Sequence, residues 1–362
     1  MMQKYRKSYP VLNHAIYANT AAFGLLGQEL LEWRQNHDLD YLIGGSSMKI
    51  DSLGLISGAR IMVGEFFRCN KDLVALLPNF SLGLNMLLEG LDSKEHILLL
   101  ENDYPSVNWP FESRGFQISY AKIDAKLEEN IIEKVKADSI SVLALSLVQW
   151  INGIRVDLDF LKSLKEEFPN LLIIADGTQF CGAFDIDFEN SGIDVLGASG
   201  YKWLLAGTGN GFMLFKDLAK SRFKIKTTGF NSANAVLTAR NTIPFNKHFE
   251  PGHLDSLNIG SLKRALEILN DIGIKEITAH NENLSVRAIK GFGELGLLNS
   301  EVLHRNLHST IFNIKGNDLL FNHLLEANVV CSRRGKGIRI SFHYYNSIQD
   351  IDSILEIIRK KL

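Results

Sequence analysis

The sequence from about Leu73 onward consists of short apolar runs separated by polar turns. An amphipathic, helix-like segment, LDFLKSLKEEF, lies among these runs. Short runs that are apolar throughout are typical of strands buried on both faces, and their alternation with helices predicts an α/β core with a largely parallel sheet. The runs are LVALL, HILLL, ISYAKI, SVLALSLV, LLIIAD, IDVLGAS and GFMLF.

The pattern changes after about Pro244, where long amphipathic segments follow. Their periodicity predicts helices near Ile259 to Asn270, near Ala279 to Leu295 and around Leu319 to Ala327, and a last helix from Ser347. The apolar run STIFNI and the strands VVCSRR and GIRISFHYY accompany them. This part of the chain is therefore expected to form a second, smaller domain.

Length and composition favour a compact protein of about two domains. The chain has 362 residues, of which 46% are hydrophobic and 22% charged, so disorder and coiled coil are poor interpretations. The 39 Lys and Arg nearly balance the 41 Asp and Glu, which gives a net charge of −2. Such a charge provides no field that would attract nucleic acid or an anionic membrane.

The cysteines and the apolar segments bear on the cellular compartment. Cys69, Cys181 and Cys331 are too far apart for a short metal motif and too few for a disulfide framework. The start of the sequence lacks a continuous apolar segment, and the stretch from Val142 to Ile151 is far shorter than the about 18 residues of a membrane span. We expect a cytoplasmic protein that is neither secreted nor membrane-spanning.

Candidate chemistry is concentrated between Leu171 and Phe215. Asp176 closes one apolar strand, and the carboxyl ends of parallel strands are where open α/β sheets bind ligands. Lys202 follows a second apolar strand and lies between small and apolar residues. An apolar setting favours the neutral amine that a Schiff base requires. By itself, however, this spacing fits a surface lysine with a buried stem better than a catalytic amine.

The motifs D-G-T-Q and G-I-D-V-L-G-A-S-G-Y-K-W resemble those of the class V aminotransferases of pyridoxal phosphate fold type I. That family includes cysteine desulfurases, selenocysteine lyases, kynureninase and isopenicillin N epimerase-like proteins. The resemblance extends from Ile16–Gly24 to Ile338–Asn346. It implies a mainly parallel seven-stranded sheet in a large cofactor-binding domain at 31–245. It also implies an α+β domain at 246–362, against which an N-terminal segment at 1–30 packs.

The resemblance assigns roles to residues of the central motif. Lys202 would carry pyridoxal 5'-phosphate as a Schiff base, and Asp176 would hold the pyridinium nitrogen protonated. Gln179 would hydrogen-bond the ring hydroxyl, and Ser199 would bind the phosphate. Tyr201 stands where many relatives have His and would reach the phosphate through its hydroxyl.

Further positions of the resemblance lie outside that motif. Phe80 and Ser81 match a phosphate-binding turn at the start of a helix. Tyr104 matches the aromatic residue that stacks on the cofactor, although a Tyr in such a loop is often an ordinary turn residue. Arg339 matches the residue that binds the substrate α-carboxylate, for which a planar guanidinium is suited. Without the resemblance, Arg339 would be assigned as a solvated strand residue.

Two departures from the family pattern concern the substrate and the partner subunit. Gln149 and Trp150 replace a hydroxyl residue and an Asn in many relatives, which predicts different polar contacts near the substrate. Gly252 and His253 stand where relatives supply Gly and Thr to the phosphate of a neighbouring subunit. The resemblance therefore implies a homodimer with shared active sites.

Other candidate motifs are weaker. His304 and His308 are four residues apart but have no third ligand nearby, so no metal site is expected. Arg333 and Arg334 have no support from the resemblance and are assigned as surface charge. Cys331 lies in the apolar run NVVCS, eight positions before Arg339, and the segment between them is too short for the mobile cysteine loop of a persulfide-forming desulfurase.

The leading hypothesis is an enzyme that uses pyridoxal phosphate on an amino acid. After Cα deprotonation by Lys202, transamination, epimerisation and elimination all stay open. The alternative is a catalytically inert binding or regulatory protein with the same fold. A nicotinamide oxidoreductase is disfavoured, because the glycines of AGTGNGF lack the strand-turn-helix setting of a dinucleotide site.

Overall fold

A computed structural model describes residues 2–361, so Met1 and Leu362 at the ends of the expected domain division lie outside it. Within the described residues the strands are β1 Ile16–Tyr17, β2 Val74–Leu77, β3 His96–Leu100, β4 Gln117–Ala121, β5 Val142–Ser146, β6 Leu172–Asp176, β7 Val195–Ser199, β8 Gly211–Phe215, β9 Ile311–Ile314, β10 Val329–Val330, β11 Ser332–Arg334 and β12 Gly337–Ser341.

The helices include two long pairs, α2 with α3 and α8 with α9. The bounds are α1 Gln3–Arg6, α2 Gln28–Gly44, α3 Met48–Phe67, α4 Phe80–Leu88, α5 Pro105–Glu112, α6 Leu127–Ala137, α7 Leu158–Glu167, α8 Ser256–Ile272, α9 Ile274–Glu294, α10 Ser300–Leu303, α11 Asp318–Glu326 and α12 Ile348–Arg359. Among the residues described, no helix is both long enough and apolar enough to cross a membrane.

The main sheet has seven strands in the order β2-β8-β7-β6-β5-β3-β4. All of them run parallel except β8, which is antiparallel to both β2 and β7. The inner strands β5, β6, β7 and β8 are buried along their whole length, because hydrophobic clusters cover both faces of the sheet. The predicted α/β fold with a mostly parallel central sheet is confirmed.

The C-terminal part contains a three-stranded antiparallel sheet in the order β11-β12-β9. The prediction of VVCSRR as one strand is wrong. Val329–Val330 instead pairs in parallel with β1, whereas Ser332–Arg334 pairs with β12. The chain thus changes sheets at Cys331, and β1 ties the N-terminal segment to the C-terminal part.

Several helices begin with a side-chain cap. Asn79 accepts the Leu82 N–H at the start of α4, and Asp255 accepts the Asn258 N–H at the start of α8. Ser347 and Asp350 form a reciprocal capping box that starts the last helix at the expected place. The cap at Asn79 matters for the site described next, because it fixes the amino end of α4 beside β7.

Candidate active site

Polar side chains converge at the carboxyl ends of neighbouring parallel strands. Asp176 ends β6 and lies in register with Ser146, which ends β5. Ser199 ends β7, and Asp103 follows β3. All four side chains are buried. This is the sheet edge at which ligands of open α/β sheets bind.

Lys202 is buried beside this edge, and its Nζ lies 5.3 Å from the centre of the Tyr104 ring and 5.5 Å from that of Tyr201. The pKa of Lys202 is lowered to about 8, mainly by burial; the charge of Asp176 opposes this shift, and the positive charges of Arg339 and Arg334 contribute to it. A substantial fraction of this side chain is therefore a neutral amine near physiological pH.

The backbone around Lys202 is held by the N-terminal segment. The Gly24 N–H donates to the Tyr201 carbonyl at 2.8 Å. A Cβ at Gly24 would lie 2.0 Å from the Lys202 carbonyl oxygen, so any other residue would push the two segments apart. Phe23, next to Gly24, packs its ring 5.9 Å from that of Tyr201. The segment at 19–24 thus forms one wall of the site.

We expect the rate at which apoprotein takes up pyridoxal phosphate covalently to rise with pH and to level off above about pH 8. The reason is that only the neutral amine of Lys202 attacks an aldehyde, and its pKa is about 8. Rapid-mixing absorbance at several pH values measures this rate. A rate that still climbs steeply near pH 10, as for an exposed lysine, would contradict the account.

Asp176 is held by the backbone of the loop that follows β6. Its Oδ1 accepts the Thr178 N–H at 2.8 Å, and the Thr178 hydroxyl in turn accepts the Ser199 N–H at 3.1 Å. Burial raises the pKa of Asp176, although its bonds with Thr178 and the charge of Lys202 oppose this. Within the part of the chain that is described, no cation forms an ion pair with Asp176. The carboxylate is therefore free to bind a cationic group.

Asp103 is a site residue that sequence analysis missed. Its carboxylate accepts the N–H groups of Tyr104 and Ser146, both at 2.7 Å. Burial raises its pKa to about 6, and the charge of Asp176 contributes to the same shift. The signal was available, because Asp103 closely follows the apolar run HILLL, much as Asp176 ends LLIIAD. Asp103 fixes the backbone of Tyr104 against β5.

Gln179 joins two parts of the protein. Its Nε2 donates to the Ala21 carbonyl at 3.1 Å, and its Oε1 accepts the indole N–H of Trp203 at 2.7 Å. Both ends of the amide therefore have protein partners, although Nε2 retains a second N–H. The predicted contact of Gln179 with a cofactor hydroxyl stays a prediction.

The amino end of α4 faces β7. The Phe80 N–H donates to Ser199 Oγ at 3.0 Å, which joins two of the predicted phosphate-site residues. The Phe80 ring itself is buried and packs against Gly197, so this residue brings only backbone to the site. Ser81 is half-buried in the first turn, where helix N–H groups lack intrahelical acceptors. This end of α4 is suited to an anion.

Tyr104, Trp150 and Arg339 form a continuous wall. The rings of Tyr104 and Trp150 meet edge to face at 5.7 Å, and the Trp150 carbonyl accepts a hydrogen bond from Arg339 Nη1 at 2.7 Å. Since Tyr104 also contacts Lys202, this wall connects the lysine to the arginine. Within the described residues, the buried Trp150 indole N–H has no hydrogen-bond partner.

Arg339 is a buried cation, only 2% exposed, with no acidic partner among the residues described. Within residues 2–361 its Nε has no hydrogen-bond partner, and its one side-chain hydrogen bond there goes to the Trp150 carbonyl. Burial lowers its pKa to about 10, and the charge of Arg334 contributes to this shift. Because this pKa is still well above neutral pH, Arg339 is charged there. A buried charge without compensation is costly, and an anionic ligand would relieve that cost.

The loop that carries Trp150 is tied to the C-terminal part. The Gly153 carbonyl accepts the N–H and the hydroxyl of Ser309, and the Asn152 carbonyl lies 2.9 Å from His308 Nε2. Gly153 has a φ of 76°, and a Cβ there would lie 2.0 Å from the Ile311 carbonyl oxygen. Burial lowers the pKa of His308 to about 4, so it is neutral and serves as a structural residue.

Gly252 and His253 do not join this constellation within one chain. Both are exposed, and within residues 2–361 no hydrogen bond or ion pair links His253 to the residues above. The same part of the chain contains no group of three His, Cys, Asp or Glu side chains placed to hold a metal ion.

Comparison with known proteins identifies the class of protein that this fold and site define. The family model for Aminotransferase class-V matches residues 44–354. The chain therefore belongs to the class-V aminotransferase family, whose members are enzymes that use pyridoxal phosphate. This membership favours the enzyme hypothesis over an inert binding protein.

Two curated relatives cover nearly the whole chain. An uncharacterised aminotransferase, YcbU, of Bacillus subtilis (strain 168) is 22% identical over 99% of this chain and 98% of its own length. A probable cysteine desulfurase of Borreliella burgdorferi is 22% identical over 98% of this chain and 95% of its own length. The likeness thus extends over nearly the full length of both relatives.

Solved structures share the fold. The apo cysteine desulfurase of Thermococcus onnurineus NA1 superposes with a TM-score of 0.86 at 19% identity, covering 99% of this chain and 97% of that one. The cystine C–S lyase C-DES, in complex with its reaction product cysteine persulfide, superposes with a TM-score of 0.85 at 19% identity, covering 96% and 98%. At this identity the likeness establishes the architecture.

The residues present fit pyridoxal phosphate. A buried lysine whose pKa is lowered suits an aldehyde, and a buried carboxylate without a cation suits a pyridinium N–H. The amino end of α4, where the Ser81 N–H lies beside the Ser199 hydroxyl that accepts the Phe80 N–H, suits a phosphate. These three features lie around one sheet edge, so the donor set matches the three functional ends of the cofactor.

Proposed function

We propose that this protein is a pyridoxal phosphate enzyme that acts on an α-amino acid, with Lys202 as the covalent and proton-transferring residue. The observation that carries the proposal is the buried, uncompensated guanidinium of Arg339 on the wall that leads to Lys202. An α-carboxylate accepting two parallel hydrogen bonds would neutralise that charge. Arg339 would then hold the substrate with its Cα near the lysine.

Other residues of the site would bind different parts of the cofactor. Asp176 would hold the pyridinium proton, Tyr104 would cover the ring, and Ser199 with the Ser81 N–H would bind the phosphate. When bound, pyridoxal phosphate supplies an electron sink that acidifies the substrate Cα–H. Lys202, with a pKa of about 8, can accept that proton near neutral pH and return it elsewhere.

Tyr201 and Gln179 complete the proposed cofactor site. The Tyr201 hydroxyl makes no hydrogen bond within the described part of the chain, which leaves it available to a phosphate oxygen. The second N–H of Gln179 would reach the ring hydroxyl while its other bonds hold Ala21 and Trp203. Transamination, epimerisation and elimination all use this arrangement, and they differ in where Lys202 returns the proton.

A thiolate relay is not part of the proposed reaction. Burial raises the pKa of Cys331 to about 12 and that of Cys69 to about 11, and it raises the pKa of Cys181 as well. All three cysteines are free. Unreactive thiols agree with a protein of the reducing cytoplasm and with chemistry that involves no enzyme persulfide.

Cys331→Ser is expected to leave turnover of the true substrate within about threefold of the parent, because the side chain is buried between β10 and β11 and takes part in no bond-forming step. Steady-state kinetics of the two proteins measures this. Detection of a persulfide on Cys331 after incubation with cysteine, together with an inactive serine variant, would contradict this prediction. The protein would then be assigned as a persulfide-forming desulfurase.

We further propose a homodimer in which His253 of each chain reaches the phosphate site of the other. The exposure of Gly252 and His253 supports this, as do exposed apolar side chains at the end of α2 and the start of α3. The exposed apolar side chains that support the homodimer are Tyr41, Leu42, Ile43, Ile50 and Leu53.

Sedimentation of the purified protein is expected to give the mass of two chains. His253→Ala should then raise the dissociation constant of pyridoxal phosphate severalfold without changing that mass. A catalytically active single chain would contradict the shared site.

A screen of amino acids tests the proposed function itself. Purified holoenzyme is titrated with each amino acid while the visible cofactor band is followed, and the products of responsive mixtures are then identified. We expect a spectral response to at least one α-amino acid and none to the matching amine without a carboxylate. A keto acid, a racemised amino acid or an eliminated fragment would distinguish the three reactions. Equal responses to amines and amino acids would contradict the role of Arg339.

A further inference from the structure

The strand pairing places three polar side chains on one face of the C-terminal sheet. In the β11–β12 pair, Ser332 lies opposite Arg339, Arg333 opposite Ile338 and Arg334 opposite Gly337. Side chains alternate along a strand, and directly opposite residues share a face. Ser332, Arg334 and Arg339 therefore share the face that looks towards the site, and Arg333 lies on the other.

The two neighbouring arginines differ in their partners. Arg333 forms an ion pair with Asp318 of α11, so its charge is compensated. Arg334 has no carboxylate within ion-pairing distance in the part of the chain described, and its Nη1 donates only to the Arg333 carbonyl at 2.8 Å. The sequence pattern assigns both as surface charge. Arg334 is exposed, and within residues 2–361 it lacks the carboxylate partner that Arg333 has.

The position of Arg334 is fixed by its backbone. Its carbonyl accepts a hydrogen bond from Asn313 Nδ2 at 2.9 Å. The turn that follows lies against the loop of Trp150, since a Cβ at Gly335 would be 3.7 Å from Ile151. Arg334 thus stands on an anchored strand end beside the wall of the candidate active site.

The charge of Arg334 and an unpartnered hydroxyl on the same face also connect this residue with the candidate active site. After the larger effect of burial, the charge of Arg334 contributes to the lowered pKa of both Lys202 and Arg339, so it lies within electrostatic reach of both. Ser332 neighbours both arginines on the shared face, and within residues 2–361 its buried hydroxyl has no hydrogen-bond partner. The face therefore offers more positive charge and more donors than one α-carboxylate requires.

We propose that Arg334 binds a second anionic group on the substrate side chain, so that the substrate is an acidic α-amino acid with a distal carboxylate or similar acid. The inference rests on the proposed function, because it takes Arg339 as the α-carboxylate site. Arg334 is a diagonal neighbour of Arg339, which sets their Cα atoms about 7 to 8 Å apart. Two guanidinium groups that start from this spacing can hold the two ends of a short diacid.

Binding of simple acids tests this without requiring chemistry at Lys202. Holoenzyme is titrated calorimetrically with glutarate and with butyrate, which have similar chains but two and one carboxylates. We expect glutarate to bind about tenfold more tightly than butyrate. This ratio of dissociation constants corresponds to one additional charge-assisted hydrogen bond at an exposed group. Arg334→Gln should remove this preference, and the matched control Arg333→Gln should keep it.

Arg339→Gln separates the two proposals. Equal binding of both acids to the parent, with both weakened by Arg339→Gln, would overturn the role of Arg334 and leave the proposed function intact. An equal loss of glutarate affinity in the Arg334 and Arg333 variants would also overturn the role of Arg334. Such a result would mean that the positive charge of the surface attracts glutarate without a specific contact. If Arg339→Gln weakens neither acid, the proposed function fails and this inference with it.

Discussion

Lys202→Ala is expected to lower turnover at least about a thousandfold, because the variant loses both the covalent link to the cofactor and the group that moves the Cα proton. The fold should persist, since the strands around this residue are packed by other side chains and the Gly24 contact is made through backbone. Turnover of the substrate found in the amino-acid screen, measured with saturating pyridoxal phosphate, gives the effect.

Two further variants show whether that loss is specific. Lys202→Arg keeps a cation of similar length but cannot form the covalent link, so it should be nearly as inactive as the alanine variant. Lys216 follows β8 at the opposite end of the sheet and pairs with Glu189, so Lys216→Ala should keep normal turnover. Activity of Lys202→Arg near that of the parent would remove Lys202 from the chemistry.

Arg339→Lys is expected to raise KM for the amino acid about a hundredfold with a smaller change in kcat. Lysine keeps the charge but cannot make two parallel hydrogen bonds to a carboxylate, and disrupting a buried charge-assisted pair typically has an effect of this size. The Trp150 carbonyl would also lose its partner at 2.7 Å.

Steady-state kinetics of the holoenzyme gives KM and kcat for the amino acid, and spectral titration of the apoprotein with pyridoxal phosphate gives the affinity for the cofactor. Affinity for pyridoxal phosphate should stay close to that of the parent, because Arg339 is assigned to the substrate side of the site. Arg333→Lys, on the opposite face of the same sheet, is the matched control and should bind the amino acid normally. Unchanged amino-acid affinity in Arg339→Lys would mean that another residue holds the carboxylate.

The sheet was predictable because most of its strands, apart from the edge strand β4, are buried on both faces. Runs such as LLIIAD and GFMLF are apolar throughout, and this pattern is typical of the inner strands of an α/β sheet. Helices α2 and α3 were not predicted, because their apolar residues do not form one regular stripe. Leu42 and Ile43, for example, are exposed at the end of α2. The split of VVCSRR depends on pairing with two distant partners, which local sequence does not encode.

The candidate site was also predictable only in part, because some of its contacts join residues that are distant in the sequence. Asp176 ends one apolar strand and Lys202 follows another, so the sequence pattern predicts their placement at one sheet edge. Their roles rest on the family resemblance. The bonds of Gln179 to Ala21 and Trp203 join segments far apart in sequence. The missing acidic partner of Arg339 is likewise a property of the folded protein. Such contacts become visible only when the strands are assembled.

Reduction of the holoenzyme with borohydride, followed by peptide mass mapping, tests the central claim most directly. Borohydride converts a lysine–cofactor Schiff base into a stable bond, so the modified residue can be identified. We expect the pyridoxyl group on the peptide that contains Lys202 and loss of the visible cofactor band. Recovery of the adduct on any other lysine, or no adduct on a protein saturated with pyridoxal phosphate, would contradict the assignment of this site.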